Sequence, residues 1–194
     1  MNKDIYNNFL QEIKNGTMLG YVPKEYRTYE LCLEAVKHYG LSLCMVPQEY
    51  RDYELCLEAV KQYGFALIYV PEEIKDYNMC IKAVNENAFS LDNVPEKYKS
   101  YNLCLHAVRQ NGRVLKYIPS KYRDYNMCLE AIKQIGSNNY FRQIFKTKDE
   151  NNVEIRTIIH DKWVLNYIPN KYINKILEEL NLDELYIEEL QCVA

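Results

Sequence analysis

A 24-residue repeat is the feature that most constrains the fold of this chain. Five segments of that length align without a gap, and proline occupies the fourth position of each. They begin at Gly20, Cys44, Ile68, Asp92 and Lys116. A unit this short cannot bury an apolar face alone, so neighbouring copies must stack to form a continuous core. The repeat therefore predicts a solenoid.

Each unit predicts one helix followed by a short second segment. In the second copy Leu55, Cys56, Ala59 and Val60 fall on one helical face, directly after the N-cap residue Asp52. A glycine follows the helix, where a left-handed residue closes many helices. The short apolar segment and proline that come next predict a brief α or 3₁₀ turn. The equivalent caps are Thr28, Asp76, Ser100 and Asp124.

The predicted fold class is all-α, a solenoid with one longer α-helix and one short α or 3₁₀ segment per repeat. The alternative makes the short segment a strand, as in a horseshoe of leucine-rich repeats. The segment lacks the β-branched alternation and the asparagine ladder that this alternative requires. The helical interpretation is therefore preferred.

The two ends of the chain are degenerate copies of the repeat. Residues 1–19 predict an N-terminal capping repeat and residues 20–139 the five regular repeats. Residues 140–194 predict a divergent repeat and an acidic C-terminal cap, all within one continuous domain. Residues 140–165 are either part of that cap or a functional loop. Atypical terminal repeats are expected, because the end faces of a solenoid would otherwise expose its core.

Composition narrows the class of partner. The chain has 194 residues and a formal net charge of -3, which gives no overall attraction to nucleic acid or anionic membranes. It contains no apolar run of 18 residues, so no membrane association is expected. The first 19 residues include several charges and do not resemble a signal peptide. We expect a cytoplasmic location, in the producing cell or in a host cell if the protein is delivered.

Five of the seven cysteines share one repeat position on the apolar helix face. Stacked helices lie about 8–10 Å apart, beyond the separation that a disulfide spans. The C-x-x-C spacing typical of metal sites is absent. We therefore expect small core residues in a reducing compartment, and neither a metal nor a cofactor. These cysteines are Cys32, Cys56, Cys80, Cys104 and Cys128.

No pattern in the sequence indicates catalysis. The three histidines, His38, His106 and His160, do not share a repeat position. Neither a phosphate-binding loop nor a known nucleophile or zinc motif is present. The chain is expected not to be an enzyme, and no catalytic residue is predicted.

A row of basic residues precedes the helix caps and lies beside rows of tyrosine. Such a row is a candidate binding site for phosphate groups or for an acidic partner. The structural alternative is a set of salt bridges to glutamates of the following helix or to the caps. The row comprises Arg27, Arg51, Lys75, Lys99 and Arg123.

Exposed positions that vary between copies are candidates for partner specificity. Acidic residues at one helix position give way to asparagine in the third to fifth copies. Other departures from the repeat pattern cluster in the third and fourth copies. The candidates are Asn78, Asn102, Asn126, Lys82, Asn87, His106 and Arg113.

An acidic tail is a further candidate surface, either as a polar cap or as a docking site for a basic partner. Its carboxylates are Glu178, Glu179, Asp183, Glu184, Glu188 and Glu189.

The helix-plus-short-helix plan resembles the leucine-rich repeat variant solenoid. The sequence Leu-Cys-Leu-Glu-Ala-Val, followed by Tyr-Val-Pro, resembles a short repeat family of unknown function found in bacteria, mobile elements and giant viruses. The resemblance covers residues 20–139 and implies a fold but no activity.

The function expected from these features is binding of a protein partner by a non-catalytic solenoid. The occurrence of the similar repeat family in bacteria, mobile elements and giant viruses implies, by analogy, an inhibitor or effector from a phage, a mobile element or a host-associated bacterium. Two alternatives remain open, which are nucleic-acid or nucleotide binding through the Arg/Lys row and a structural module that self-assembles.

Overall fold

The computed structural model describes residues 2–137, 144–146, 155–157 and 162–179. It confirms the predicted all-α solenoid, because a helix and a pair of 3₁₀ segments recur in tandem and pack on their neighbours. The helices are α1 (Lys3–Lys14), α2 (Tyr29–His38), α3 (Tyr53–Gln62), α4 (Tyr77–Glu86), α5 (Tyr101–Gln110), α6 (Tyr125–Ser137) and α7 (Asn170–Glu179).

The segment between helices is built from 3₁₀ turns, as its length and proline predict. A longer 3₁₀ segment follows each helix, and a three-residue turn follows the proline. The longer segments are Gly40–Met45, Gly64–Tyr69, Ala88–Asn93, Gly112–Tyr117 and Lys162–Tyr167. The turns are Lys24–Tyr26, Gln48–Tyr50, Glu72–Ile74, Glu96–Tyr98 and Ser120–Tyr122, and Leu19–Tyr21 precedes the first of them.

The chain divides into two compact units, Met1–Leu103 and Cys104–Ala194. In the first unit α1, α2, α3 and α4 pack on one another in chain order, and the longer 3₁₀ segments stack beside them. The helices α2, α3 and α4 contribute the same four apolar positions to the core, whereas α1 contributes Ile13. In α3 these are Leu55, Cys56, Ala59 and Val60, all fully buried.

All five predicted N-caps are confirmed. Each capping side chain accepts a hydrogen bond from the backbone N–H three residues later, so it satisfies a donor that the helix leaves unpaired. Asp52 accepts from Leu55 at 2.9 Å, and Asp124 accepts from Met127 at 2.8 Å. Thr28, Asp76 and Ser100 do the same.

The prediction that glycine closes each helix in the left-handed conformation is wrong. Among the described residues the only glycine with positive φ is Gly16, which follows α1. Gly40 and Gly64 instead begin the longer 3₁₀ segments, where the next helix passes very close. An added Cβ at Gly64 would lie 2.3 Å from the carbonyl oxygen of Ala83. Glycine is required there for close packing.

In the second unit an insertion separates the helix of the fifth repeat from its 3₁₀ segment. The segment Lys162–Tyr167 packs against Gly112–Tyr117, as consecutive segments do in the first unit. The Arg123 guanidinium bonds a carbonyl 44 residues later, whereas Arg27 bonds the equivalent carbonyl 18 residues later. The stretch between Arg123 and the carbonyl group that it bonds is therefore 26 residues longer than the equivalent stretch after Arg27.

The described part of this insertion is a pair of short antiparallel strands, β1 (Ile144–Lys146) and β2 (Ile155–Thr157). Phe145 lies opposite Arg156 in the register. The other residues of the insertion lie outside the described part of the chain.

Candidate protein-binding surface

The arginines of the basic row bind backbone carbonyl groups of their own and the following repeat. The Arg27 guanidinium donates to the carbonyl oxygen of Val22 at 2.9 Å and to that of Met45 at 2.9 Å. Because Met45 belongs to the next 3₁₀ segment, the side chain clamps two repeats together. Arg51 bonds the carbonyl oxygens of Val46, Tyr69 and Cys44, and Arg123 those of Ile118, Tyr167 and Lys116.

The two lysines of the row are buried beside a glutamate of their own repeat. Lys75 is 6% exposed, and its Nζ lies 2.5 Å from Glu72. Lys99 is 9% exposed and lies 2.8 Å from Glu96. The lysines of the row are therefore buried, and its arginines are half-buried with their guanidinium groups bonded to backbone carbonyl groups. The acceptors of the row among the described residues are carbonyl groups and glutamates of the preceding 3₁₀ turns, whereas the expected structural alternative was a set of salt bridges to glutamates of the following helix or to the caps.

The variable helix positions are presented to solvent. Asn78, Asn102 and Asn126 are exposed. Lys82 and His106 occupy one repeat position one turn further along the helix, where the first two copies carry glutamate. Asn87 and Arg113 lie apart from these, at the start of the longer 3₁₀ segments.

Asn87 caps its 3₁₀ segment by accepting a hydrogen bond from the N–H of Phe89 at 3.0 Å. Asn111 does the same for Arg113, also at 3.0 Å. The first two copies carry Tyr39 and Tyr63 at this position, and neither provides a side-chain cap. Asparagine at this position thus has a structural role that tyrosine does not fill.

Two carboxylates of the acidic tail lie in α7. Glu179 accepts hydrogen bonds from the Tyr125 hydroxyl and, at 3.4 Å, from Lys133. The bond to Glu179 raises the pKa of Tyr125 to about 12, and the same bond lowers the pKa of Glu179. Glu178 is exposed. The other predicted tail residues, Asp183, Glu184, Glu188 and Glu189, lie outside the described residues.

The tyrosines that open the helices connect one repeat to the next. The Tyr29 hydroxyl donates to the cap Asp52 at 3.3 Å, and Tyr53 donates to the cap Asp76 at 3.0 Å. Burial, followed by these bonds, raises the pKa of both phenols. This row of tyrosines is thus engaged in inter-repeat contacts.

The five cysteines at the shared repeat position are buried, as predicted, and none of them forms a disulfide. Burial raises the pKa of Cys56 to about 12 and that of Cys32, Cys80 and Cys128 to about 11. Thiols of such high pKa remain protonated at neutral pH and are poor metal ligands. Among the described residues no group of three potential metal ligands is found.

A shallow cleft opens where α2 and α3 end. Its volume is about 190 Å³, and its walls are largely apolar. The two aromatic residues that precede the glycines, Tyr39 and Tyr63, both contribute to it. The other lining residues are His38, Gly40, Leu41 and Gln62.

The cleft is part of a wider surface formed by the longer 3₁₀ segments of the first unit. In a 3₁₀ helix the side chains three residues apart are aligned, so Phe65 and Ile68 share the outer face of one segment. Leu41 is 44% exposed and Ile68 is 51% exposed. The Tyr63 and Phe65 rings lie 6.2 Å apart. We define the apolar surface by its exposed members, Tyr39, Leu41, Met45, Tyr63, Ile68 and Tyr69.

Three positions of this surface are polar at the first longer 3₁₀ segment of the second unit, whereas Tyr117 occupies the position of Met45 and Tyr69 and is half-buried. Asn111 replaces tyrosine, Arg113 replaces leucine or phenylalanine, and Lys116 replaces isoleucine. Within residues 104–135, 164–176 and 178–179, no large hydrophobic side chain is exposed. The apolar surface is thus confined to one part of the series of longer 3₁₀ segments.

Sequence reasoning did not predict the apolar surface. The candidates came from departures on the helices, whereas this surface lies on the 3₁₀ segments. One signal was present in the sequence, because the residue before the glycine is tyrosine in two copies and asparagine in the next two. Neither residue type by itself shows which side of the segment faces solvent.

No helix in the described part of the chain is long and apolar enough to span a membrane. No curated protein and no solved structure matches the chain. A family model described as a domain of unknown function (DUF4116) matches residues 52–99 and again residues 101–146. Each matched stretch covers about two of the 24-residue repeats. The second to fifth repeats are therefore similar to two tandem copies of this repeat-like domain, whose description assigns no activity.

Proposed function

We propose that the chain is a non-catalytic scaffold that binds a protein partner through the apolar surface of its first unit. The observation that carries the proposal is the concentration of exposed large hydrophobic side chains on the 3₁₀ segments of that unit. Scattered exposed apolar residues are normal, but a contiguous exposed patch marks an interaction site. Tyrosine in particular is enriched among residues that dominate binding energy.

The dimensions of the cleft favour a protein over a small molecule. Pockets for drug-sized ligands enclose about 300–1,000 Å³, whereas this cleft encloses about 190 Å³. A space of this size suits one anchoring side chain. The surrounding Leu41, Ile68 and Tyr69 would then exclude water around that anchor.

Nucleic-acid binding through the Arg/Lys row receives less support. Arg27, Arg51 and Arg123 donate to backbone carbonyl groups, and Lys75 and Lys99 are buried. A phosphate that recruited these groups would leave carbonyl groups or glutamates without partners, which is costly. An inhibitor or effector role belongs to the same proposal, since such proteins act by occupying a partner's surface.

The test uses a surface variant in which four side chains are replaced by those that other copies carry at the same positions. The substitutions are Tyr39→Asn, Leu41→Arg, Tyr63→Asn and Ile68→Asp. The matched control changes four exposed or half-exposed helix positions by the same rule. Its substitutions are Glu30→Asn, Glu34→Lys, Glu54→Asn and Glu58→Lys.

Tagged wild type, surface variant and control are used to capture partners from native lysate at two salt concentrations, with and without nuclease. We expect one dominant protein to be retained by the wild type and the control and lost by the surface variant. Retention by the surface variant would contradict the proposal. Recovery of nucleic acid that disappears at the higher salt would support the alternative instead.

A further inference from the structure

A row of exposed glutamates lies on the three-residue 3₁₀ turns of the first unit. The second residue after the proline is glutamate in the first three copies of the repeat, and all three side chains are exposed. These residues, which we call the acidic edge, are Glu25, Glu49 and Glu73.

The arginine clamps place the acidic edge beside the apolar surface. Arg27 and Arg51 each follow a residue of the acidic edge by two positions. The Arg27 guanidinium donates to the carbonyl oxygen of Met45 at 2.9 Å, and that of Arg51 donates to the carbonyl oxygen of Tyr69 at 3.2 Å. Because Met45 and Tyr69 belong to the apolar surface, each of these turns borders an exposed apolar residue of the next repeat.

Within the first unit the apolar and acidic positions change together. The residue two positions before the proline is exposed and large in the first three copies, where Tyr21 is 77%, Met45 is 47% and Tyr69 is 36% exposed. In the fourth copy Asn93 takes this position and Lys97 takes that of the acidic edge. The scaffold accepts either pair of side chains, so folding does not require the combination found in the first three copies.

The carboxylates of the acidic edge are available to the cations of a partner. None of the three forms an ion pair with another of the described residues, whereas Glu72 and Glu96 on turns of the same kind pair with Lys75 and Lys99. An exposed carboxylate beside an exposed apolar side chain suits lysine or arginine. The aliphatic part of such a residue packs on the apolar side chain while its charge meets the carboxylate.

We propose, on the basis of the function proposed above, that the partner of the apolar surface is a cationic segment of another protein. Its lysine or arginine side chains dock on the acidic edge, and its apolar side chains dock on the surface beside it. The same carboxylates repel phosphate groups, which disfavours nucleic acid and anionic membranes at this place. Stacked helices lie about 8–10 Å apart, which is about three residues of an extended chain. An extended segment with a cation at every third residue therefore matches the acidic edge.

The experiment measures binding of fluorescent peptides by anisotropy at about 50 mM and about 500 mM salt. The cationic peptide repeats Leu-Lys-Ser, and the acidic peptide has glutamate for each lysine. The edge variant introduces the lysine of the fourth copy, as Glu25→Lys, Glu49→Lys and Glu73→Lys. The control makes the same change of net charge at exposed helix positions, as Glu30→Lys, Glu54→Lys and Glu86→Lys.

We expect the wild type and the control to prefer the cationic peptide, with an affinity at least tenfold lower at high salt. The edge variant should bind it at least tenfold more weakly than the control and should bind the acidic peptide instead, which shows that the variant is folded. Equal affinity of the edge variant and the control for the cationic peptide, or no binding by the wild type, overturns the proposal. So does a wild type that sediments as a dimer when the edge variant does not, since the occupant is then a second copy.

Adding the edge variant to the capture from native lysate separates failure of this proposal from failure of the proposed function. A captured protein lost by both the edge variant and the surface variant supports the cationic segment. A protein that the edge variant retains and the surface variant loses overturns the cationic segment but leaves the proposed function intact. A protein that the surface variant retains contradicts the proposed function and, with it, the cationic segment.

Discussion

The two units are built on the same internal scaffold but present different outer surfaces. The core positions hold Cys56 and Leu67 in the first unit and Cys128 and Leu115 in the second, all fully buried. On the outer side of the 3₁₀ segments, the exposed apolar residues of the first two longer segments give way to polar residues, at Asn87 and Asp92 within the first unit and at Asn111, Arg113 and Lys116 in the second.

The difference shows which positions the fold constrains. Scaffold residues are fixed by burial, by caps or by bonds to backbone carbonyl groups, and they recur in every copy. Exposed residues away from such features contribute little to stability. The shared scaffold therefore does not require the outer surface to be the same in the two units.

The largest expected effect concerns the shared core. Leu67→Ala and Leu115→Ala, at the same position of two repeats, each remove a fully buried side chain from a 3₁₀ segment. Each should lower the free energy of unfolding by about 2–5 kcal/mol, measured by urea denaturation. Leu41→Ala, at an exposed position, is the control and should cost far less. A small cost for one of the two core variants would show that the units do not share a scaffold.

The second prediction concerns the arginine clamps, which occur in both units. Arg51→Ala leaves the carbonyl groups of Val46 and Tyr69 without this donor, and Arg123→Ala does the same in the second unit. Each should lower the free energy of unfolding by about 1–3 kcal/mol. Lys61→Ala and Lys133→Ala, which remove exposed ion pairs, should change it by about 0–1 kcal/mol. Equal costs in the clamp and control variants would contradict the structural role of the row.

The sequence was sufficient to predict the repeat length, the five caps, the buried helix face and the all-α fold. These features depend on residue type at a fixed spacing, which a repeat displays directly. The role of Arg27 and Arg51 was not predictable in the same way, because their acceptors are backbone carbonyl groups that every residue carries. The role of Gly64 depends on how closely the next helix packs, which residue type alone does not reveal.

The insertion was predictable in part. The stretch from Val164 to Pro169 repeats the pattern from Val114 to Pro119, which indicates a resumed 3₁₀ segment. The β1–β2 pair has too few residues to give a strand pattern by itself.

The third prediction compares caps in the two units. Asp52→Ala and Asp124→Ala each remove the acceptor of a first-turn N–H. Each should cost about 1 kcal/mol of unfolding free energy, measured by thermal and urea denaturation. Asparagine at the same positions is the control, because it can also cap, and should retain most of the stability. No difference between alanine and asparagine would exclude capping as the source of the effect.

The smallest expected effect on stability belongs to the outer surface. The four-residue surface variant carries side chains that the same scaffold already accommodates in other copies. Its free energy of unfolding should stay within about 0.5 kcal/mol of the wild type. A larger loss would mean that the apolar surface supports the fold of the first unit and is not reserved for a partner.

The most direct test of the central claim is the affinity of the captured protein for purified wild type, surface variant and helix-face control. Titration calorimetry on folded, matched samples separates binding from stability. The structure predicts at least a ~100-fold loss of affinity for the surface variant, about 2.7 kcal/mol, and little change for the control. Equal affinity of the wild type and the surface variant would contradict the assignment of partner binding to the first unit.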